Sequence, residues 1–458
     1  MYEDKKIVVS ILSAVFITST LVGCGSNTTS TESSTGNNSN GEVVTLTYTT
    51  WGSPEELKAQ TNAVKEFEKN NPNIKVKLQH IPTDYDTKLA TMIAGNTAPD
   101  VSLMYKTTAL AWADQGKIRN ISPLLEKDSE ISEDTYIDGS FIHTDKDTII
   151  GITPCQEVFG LYYNIDAFKE AGIELPPTKA EDAWTWDEFI KICQKLTIDQ
   201  NGKNATEDGF DPNNIKQYGM NMPTSIWQTF LNLNDVKYVS DDGMKSNLTD
   251  PVVIDTIQKL ADLSVKYHVA PSPAQSKTLP APAVALQSKK IAMDWDGQWV
   301  QIDLANAKVN YDVGVLPKMK NNKTTLFGEV MCMFDTTKHP EEAWKFLKWM
   351  TSGEGTKDLI TSGLWMPTVK SWYTDPEIIE SWVVKPGHPD GYKEAILDQA
   401  MNNSVPDSGY YIKNSVKISS IISPALDQVW SGDKTAEEAL KEIEPKVVPE
   451  LKGVYTNK

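Results

Sequence analysis

The sequence predicts an α/β fold in which mainly parallel sheets are flanked by helices and divided between two lobes. Three observations lead there. Strand-like and helix-like hydrophobic periods alternate along the first sixty residues after position 42, which is the pattern of parallel strands joined by right-handed helical crossovers. The stretch from 42 to 458 is too long for one ordinary hydrophobic core. Hydrophobic residues make up 40% of the chain and charged residues 23%, a globular balance.

The elements follow in order. Val44, Leu46 and Tyr48 alternate with Thr45 and Thr47, the two-residue period of a strand. The strand stops at Trp51-Gly52-Ser53-Pro54. Ser53 is a good N-cap, Pro54 suits the first helical turn, and Glu56 is placed to complete a capping box. Leu57, Val64 and Phe67 then recur at helical spacing until Asn71-Pro72-Asn73. Ile74, Val76 and Leu78 form a second strand, Asp84 caps a second helix carrying Leu89 and Ile93, and 101–105 is a third strand. Further strands are expected at 160–164, 291–293 and 311–316. Helices are expected at 186–196 (after Thr185), 252–267, 340–350, 425–429 and 436–443. Trp186, Trp344 and Trp349 sit on such helices among apolar neighbours and are expected to pack in the core.

The N-terminus reads as an export signal. Lys5 and Lys6 precede an uncharged apolar run from 7 to 22, short for a membrane span and suited to the hydrophobic region of a signal peptide. It ends in Leu21-Val22-Gly23-Cys24, which resembles the bacterial lipobox and implies a signal peptide over 1–23 and a diacylglyceryl group on Cys24. Residues 24–41 are polar and nearly free of apolar side chains, so they are expected to act as a lipidated flexible linker. The expected location is the extracellular face of the cell membrane.

The formal net charge is -18, and no basic stripe is present, which argues against nucleic acid as a partner. Four cysteines occur. Beyond Cys24, the wide spacing of Cys155, Cys193 and Cys332 excludes a zinc-finger pattern. Asp199, Asn201, Glu207, Asp208 and Asp211 invite a calcium-loop reading, but Gly202 falls fourth where that loop needs glycine sixth, so a solvated hairpin is expected. HExxH, GxSxG and phosphate-loop motifs are absent, and the five histidines supply little acid–base machinery. Neither an enzyme nor a cofactor is expected.

In open parallel sheets ligands sit beyond the carboxyl ends of the strands. That rule selects Trp51, after the first strand, and Met104-Tyr105, at the end of the third. A sugar needs aromatic plates for its C–H faces and carboxylates or amides for its hydroxyls. Trp51, Trp295, Trp299 and Trp365 lie at strand ends or among Gly, Pro and Asp, where a ring can serve a ligand.

Several segments, in order, resemble the extracellular sugar-binding proteins of ABC importers related to maltose-binding protein. They include TLTYTTWGSPEE with EFEKNNPNIKVKLQHIP, KLATMIAGNTAPDVSLM, GLYYNIDAFKEAGIELPPT with TWDEFIKICQKLT, MDWDGQW, DVGVLPKMK, PEEAWKFLKWMTSGEG, GLWMP and EEALKEIEPKV. The resemblance covers nearly all of the chain after the linker. It implies a two-lobe periplasmic-binding-protein-like fold of type II with hinge segments, an N-terminal lobe of 42–156 plus 332–360, and a C-terminal lobe of 157–331 plus 361–458. It implies a monomer that holds a mono- or oligosaccharide in the interlobe cleft and docks on the importer's membrane permease subunits. Carried over residue by residue, it points to Trp51, Tyr105, Glu157, Asp296, Trp299, Glu329 and Trp365 as ligand contacts, with Trp295 as an extra aromatic and Trp227 as a loop aromatic. Asp100 reads as structural. Cys155 and Cys332 fall at crossings that run side by side in the family, which raises a disulfide between them. The aromatics and the lack of clustered Arg favour a neutral sugar over a phosphate or an acidic sugar. Two other classes compete: a glycosidase, which needs a catalytic carboxylate pair such as Glu157 and Asp296 would have to form, and a polysaccharide-binding surface module without transport.

Overall fold

The computed structural model describes residues 43–384, 388–407 and 409–455. The expected signal peptide over 1–23, Cys24 and the expected linker over 24–41 lie outside the described residues. The strands, in chain order, are β1 (Val44–Thr50), β2 (Ile74–His80), β3 (Val101–Met104), β4 (Phe141–Asp145), β5 (Thr148–Ile152), β6 (Glu157–Asn164), β7 (Ile198–Asp199), β8 (Ile215–Asn221), β9 (Ile291–Gly297), β10 (Tyr311–Gly314), β11 (Thr324–Phe327), β12 (Val330–Met333) and β13 (Ser404–Pro406). They form two sheets. The first runs β2-β1-β3-β12-β5-β4; the second runs β13-β11-β6-β9-β8-β7, with β10 also on β6.

Hydrophobic period explains each lobe's core. In β1, Leu46 and Tyr48 are fully buried while Thr45 faces solvent. The helix Pro54–Asn70 lays Ala59, Ala63, Val64 and Phe67 on that sheet. The helix Pro340–Thr351 returns from far along the chain to close the same layer, with Phe346 edge-on to Tyr48 at 5.2 Å and to Phe67 at 5.1 Å. In the second lobe every residue of β6 is buried, as expected of a central strand covered on both faces. The helix Trp186–Leu196, opened by a Thr185–Glu188 capping box, packs Phe189, Ile190, Cys193 and Leu196 there. The paired helices Ser415–Trp430 and Ala436–Val447 also bury their apolar faces in that core. Trp186 and Trp344 are core residues, and Trp349 is partly buried with its Nε1 donating to Ala63 O at 2.9 Å.

Several expectations need correction. The sheets are mixed rather than mainly parallel. The unbroken strand–helix–strand run keeps β1 parallel to β2 and β3, but β12 enters antiparallel to both β3 and β5, and β6 is antiparallel to β9, β10 and β11. Strands that arrive directly from the other lobe, without a helical crossover, have no reason to keep the parallel sense. Asp84 does not cap its helix by a side-chain bond; it sits in the left-handed region at φ 55. Ser53 does accept from Glu56 N, at 3.4 Å, and the Glu56 carboxylate, kept beside Gly52 and the Ser53 backbone, also lines the cleft.

The crossings fix the cleft. One lies between β5 and β6, the other between β11 and β12, at Gly328 and Glu329. Any Cβ on Gly328 would stand 2.4 Å from Cys155 O, so the two crossings approach backbone to backbone. Val330 and Met331, expected in the C-terminal lobe, pair in the first sheet. Met366 bridges to Gln156 and Val369 to Tyr136 before the chain returns to the second sheet as β13. No Cys155–Cys332 disulfide forms: both thiols are free and buried, and they belong to different packing clusters. Asp100 accepts from Thr47 N at 2.8 Å and from the Thr337 hydroxyl at 2.5 Å. In the 199–211 loop, the buried Asp199 carboxylate accepts from the N–H groups of Asn201, Lys203 and Asp211, which occupies it within the chain.

Candidate functional site

The cavity between the lobes has a volume of about 630 Å³. From the first lobe it receives Trp51, Gly52, Glu56, Gln60 and Tyr105; from the second, Gln228, Tyr238, Trp299, Phe327, Asp407 and Tyr410; from the crossings, Glu157, Glu329 and Trp365. Chain turns aim these groups. β1 ends at Thr50, and Trp51 swings out to stack on Tyr105 with ring centroids 4.7 Å apart and planes 20° apart. Tyr85 stands edge-on behind Trp51 at 4.8 Å and is held by its hydroxyl donating to Leu103 O at 2.8 Å. This bracing fixes a flat apolar plate at the cleft mouth.

Gly52 has φ 112, and a Cβ there would lie 1.8 Å from Glu56 Oε2. Glycine therefore supplies both the backbone conformation and the room that let Glu56 reach the cleft. Burial pushes the Glu56 carboxyl up to about 8, and the nearby Asp303 charge adds to the effect. Glu157, at the start of β6, is 3% exposed. Burial first, then the Glu329 and Glu56 carboxylates, raise its pKa well above the ordinary carboxylate range, while Lys106 acts in the opposite sense. The ligating atoms of Cys155, Glu157 and Glu329 all lie within 4.8 Å of one another, a group close enough to hold a metal among the described residues. Burial holds the Cys155 thiol well above its usual range, and the thiol donates to Glu329 Oε2 at 3.5 Å.

On the far wall Trp299 stands edge-on to Phe159 at 5.6 Å, and Phe159 to Phe327 at 4.7 Å. Trp365 is 3% exposed and contributes to the floor. Six of the residues singled out from sequence thus converge on the cavity: Trp51, Tyr105, Glu157, Trp299, Glu329 and Trp365. Three do not line it. Trp295 is 1% exposed and packs on Phe230 at 4.5 Å, because it shares a strand face with Met293. Trp227 is 5% exposed against Tyr238, while its neighbours Ile226, Gln228 and Thr229 face the cavity. Asp296 lies behind the wall: its carboxylate accepts from Gly297 N at 2.7 Å and has Trp299 as a hydrogen-bonding neighbour, so it braces that ring. Sequence reasoning missed Glu56, Gln60, Asp407, Tyr238 and Tyr410. Met104 is fully buried in the first lobe, leaving the cavity to Tyr105.

A two-walled cleft with aromatic plates and carboxylates is a receptor's geometry, and comparison with known proteins agrees. A family described as bacterial extracellular solute-binding protein matches residues 62–386. The chain belongs to this family. Its members are binding proteins, not enzymes. The chain is 24% identical over 306 residues to a multiple sugar-binding protein of Streptococcus mutans, covering 63% of this chain and 67% of that one. Among solved structures, it is similar to the ABC substrate-binding protein Lmo0181 of Listeria monocytogenes in complex with cycloalternan, with TM-score 0.77, 26% identity and coverage of 89% of this chain and 98% of that chain. The maltose/maltodextrin-binding domain MalE of Bdellovibrio bacteriovorus bound to maltotriose shares the two-lobe fold, with TM-score 0.70, 19% identity and coverage of 89% and 99%.

Proposed function

We propose that this solute-binding protein captures a mono- or oligosaccharide in the interlobe cleft and delivers it to the membrane permease subunits of an ABC importer, working as a monomer tethered to the outer face of the cell membrane through Cys24. The observation that carries the ligand class is the joint lining of one cavity by the Trp51–Tyr105 plate, Trp299, Trp365 and the carboxylates Glu56, Glu157 and Glu329. Aromatic faces take the C–H surface of a sugar ring and carboxylates take its hydroxyls. The described lining holds four carboxylates and no Arg or Lys, which favours an uncharged or basic ligand over a phosphate or an acidic sugar. The sugar-binding and ABC-associated relatives support the transport role. Lobe closure around the ligand supplies the signal the importer reads, because the ligand contacts both walls only in the closed form.

The test is a thermal-shift screen against neutral, basic and anionic sugars and glycerol phosphate. A true ligand at 100 times its Kd stabilises by about 2.7 kcal/mol. Stabilisation by neutral or basic sugars is expected; stabilisation by anionic ligands alone would refute the reading.

A further inference from the structure

The cleft is lopsided in charge. Glu56, Glu157, Glu329 and Asp407 all line it, yet among the described residues none of these four has a Lys, Arg or His nitrogen within ion-pair distance. Lys106, 8% exposed, sits over the Tyr410 ring at 5.4 Å; it acts on Glu329, Asp407 and Glu157 through space but makes no ion pair with any of them among the described residues. Glu157, though 3% exposed and lining the cavity, has another carboxylate, Glu329, within 4.8 Å. Buried like charges this close cannot all ionise without a counter-charge. The second feature is independent of these acids. The cavity also presents the faces or edges of Trp51, Tyr105, Trp299, Trp365 and Tyr410, and aromatic faces attract a cation and the C–H face of a sugar alike.

Resting on the sugar-receptor reading, we propose that the cleft selects a basic saccharide: an amino sugar, or an oligosaccharide carrying one, whose ammonium group sits among Glu56, Glu157 and Glu329 while its ring lies against the tryptophans. A hydroxyl in that place leaves the excess negative charge to be neutralised by bound protons. An ammonium supplies the missing positive charge and three donors at once.

The experiment is calorimetric titration of the wild-type protein at pH 6.5 with matched pairs: glucosamine and glucose, galactosamine and galactose, mannosamine and mannose, and the β-1,4 disaccharides of glucosamine, N-acetylglucosamine and glucose. EDTA is present throughout one series. The expected result is at least tenfold tighter binding of the amine than of its hydroxyl or N-acetyl counterpart in one or more pairs, unchanged by EDTA. In E157Q and E329Q that ratio falls toward one, whatever happens to the affinity for the plain sugar. Binding of plain members with no preference for the amine overturns this proposal and leaves the sugar-receptor reading standing. Binding by no member of any series overturns both. A preference that vanishes in EDTA overturns the proposal by assigning the counter-charge to a metal ion at Cys155, Glu157 and Glu329.

Discussion

Trp51 follows the end of β1 and Trp295 lies within β9, and Trp51 offers its ring to the cavity beside Tyr105 while Trp295 is wedged between Phe230 and Phe189 at 1% exposure. Truncating them therefore has opposite signatures. W51A removes a plate and is expected to weaken sugar binding about 10- to 100-fold, the worth of a few kcal/mol of ring contact, with little change in melting temperature. W295A empties a core site and is expected to cost about 3–5 kcal/mol of stability. Calorimetry and urea unfolding on the two variants check this, and the opposite assignment of effects would reverse their roles. The distinction was partly legible: Ile291, Met293 and Trp295 share one face of a strand by the two-residue period, whereas Trp51 follows its strand's end. Glu56 was hidden for a different reason. The Ser53-Pro54-Glu55-Glu56 pattern offers a sufficient local use for that carboxylate, and only the room left by Gly52 reveals the other one. Its raised pKa also has a consequence for stability. Between its ordinary 4.5 and about 8 the folded chain holds a proton on Glu56 that the unfolded chain releases, so this group's contribution is complete below pH 4.5 and is lost as pH rises through 8. E56Q removes that slope. Its melting temperature relative to wild type is expected to climb across this window, to a gain of about 1–3 °C above pH 8, and a constant offset at all pH values would contradict the assignment.

The helices and strands whose period is local were readable one by one, including the Thr185–Glu188 capping box and the buried face of the helix after Pro340. Their order in the sheets was not. β12 lies between β3 and β5, although well over a hundred residues of the second lobe separate it from either, and no local pattern in Val330–Met333 encodes that neighbour or the antiparallel sense. The same limit explains the disulfide expectation. Side-by-side crossings bring Cys155 close to Gly328 and Glu329, but the alternation of β12 turns Cys332 into the cluster with Met104 and Val330 instead. Thiol titration of a protein lacking its acylated N-terminus is expected to find Cys155, Cys193 and Cys332 unreactive when folded and all three reactive in denaturant; one reactive thiol in denaturant without reductant would show a pair. G328A tests the crossing itself. A methyl group there meets Cys155 O at 2.4 Å and Thr153 Cγ2 at 2.6 Å, with backbone on one side, so a loss of about 1–3 kcal/mol is expected from urea unfolding.

At the scale of the whole molecule, none of the helices among the described residues is long and apolar enough to cross a membrane, and the proposed attachment is the lipid on Cys24. Two acyl chains, each buried methylene worth about 0.8 kcal/mol, hold a protein on a bilayer, where one chain gives only reversible contact. In the proposed role, a linker in the Gly/Ser-like regime with about 18 residues would span about 25 Å on average, enough to let a receptor turn toward a neighbouring permease while remaining in its vicinity. Tethering of this kind raises the local concentration of receptor at the importer without changing the cleft. C24S is therefore expected to move the protein from the membrane fraction into the medium, to leave its sugar Kd within about twofold, and to slow uptake of the same sugar by whole cells, with uptake restored as soluble receptor is added back. Separate measurement of fractionation, affinity and uptake distinguishes this from a folding defect, which would lower the affinity as well. A C24S chain that stays with the membrane would place the anchor elsewhere, and unchanged uptake after full release would remove the anchor from the transport role while leaving the cleft's ligand chemistry intact.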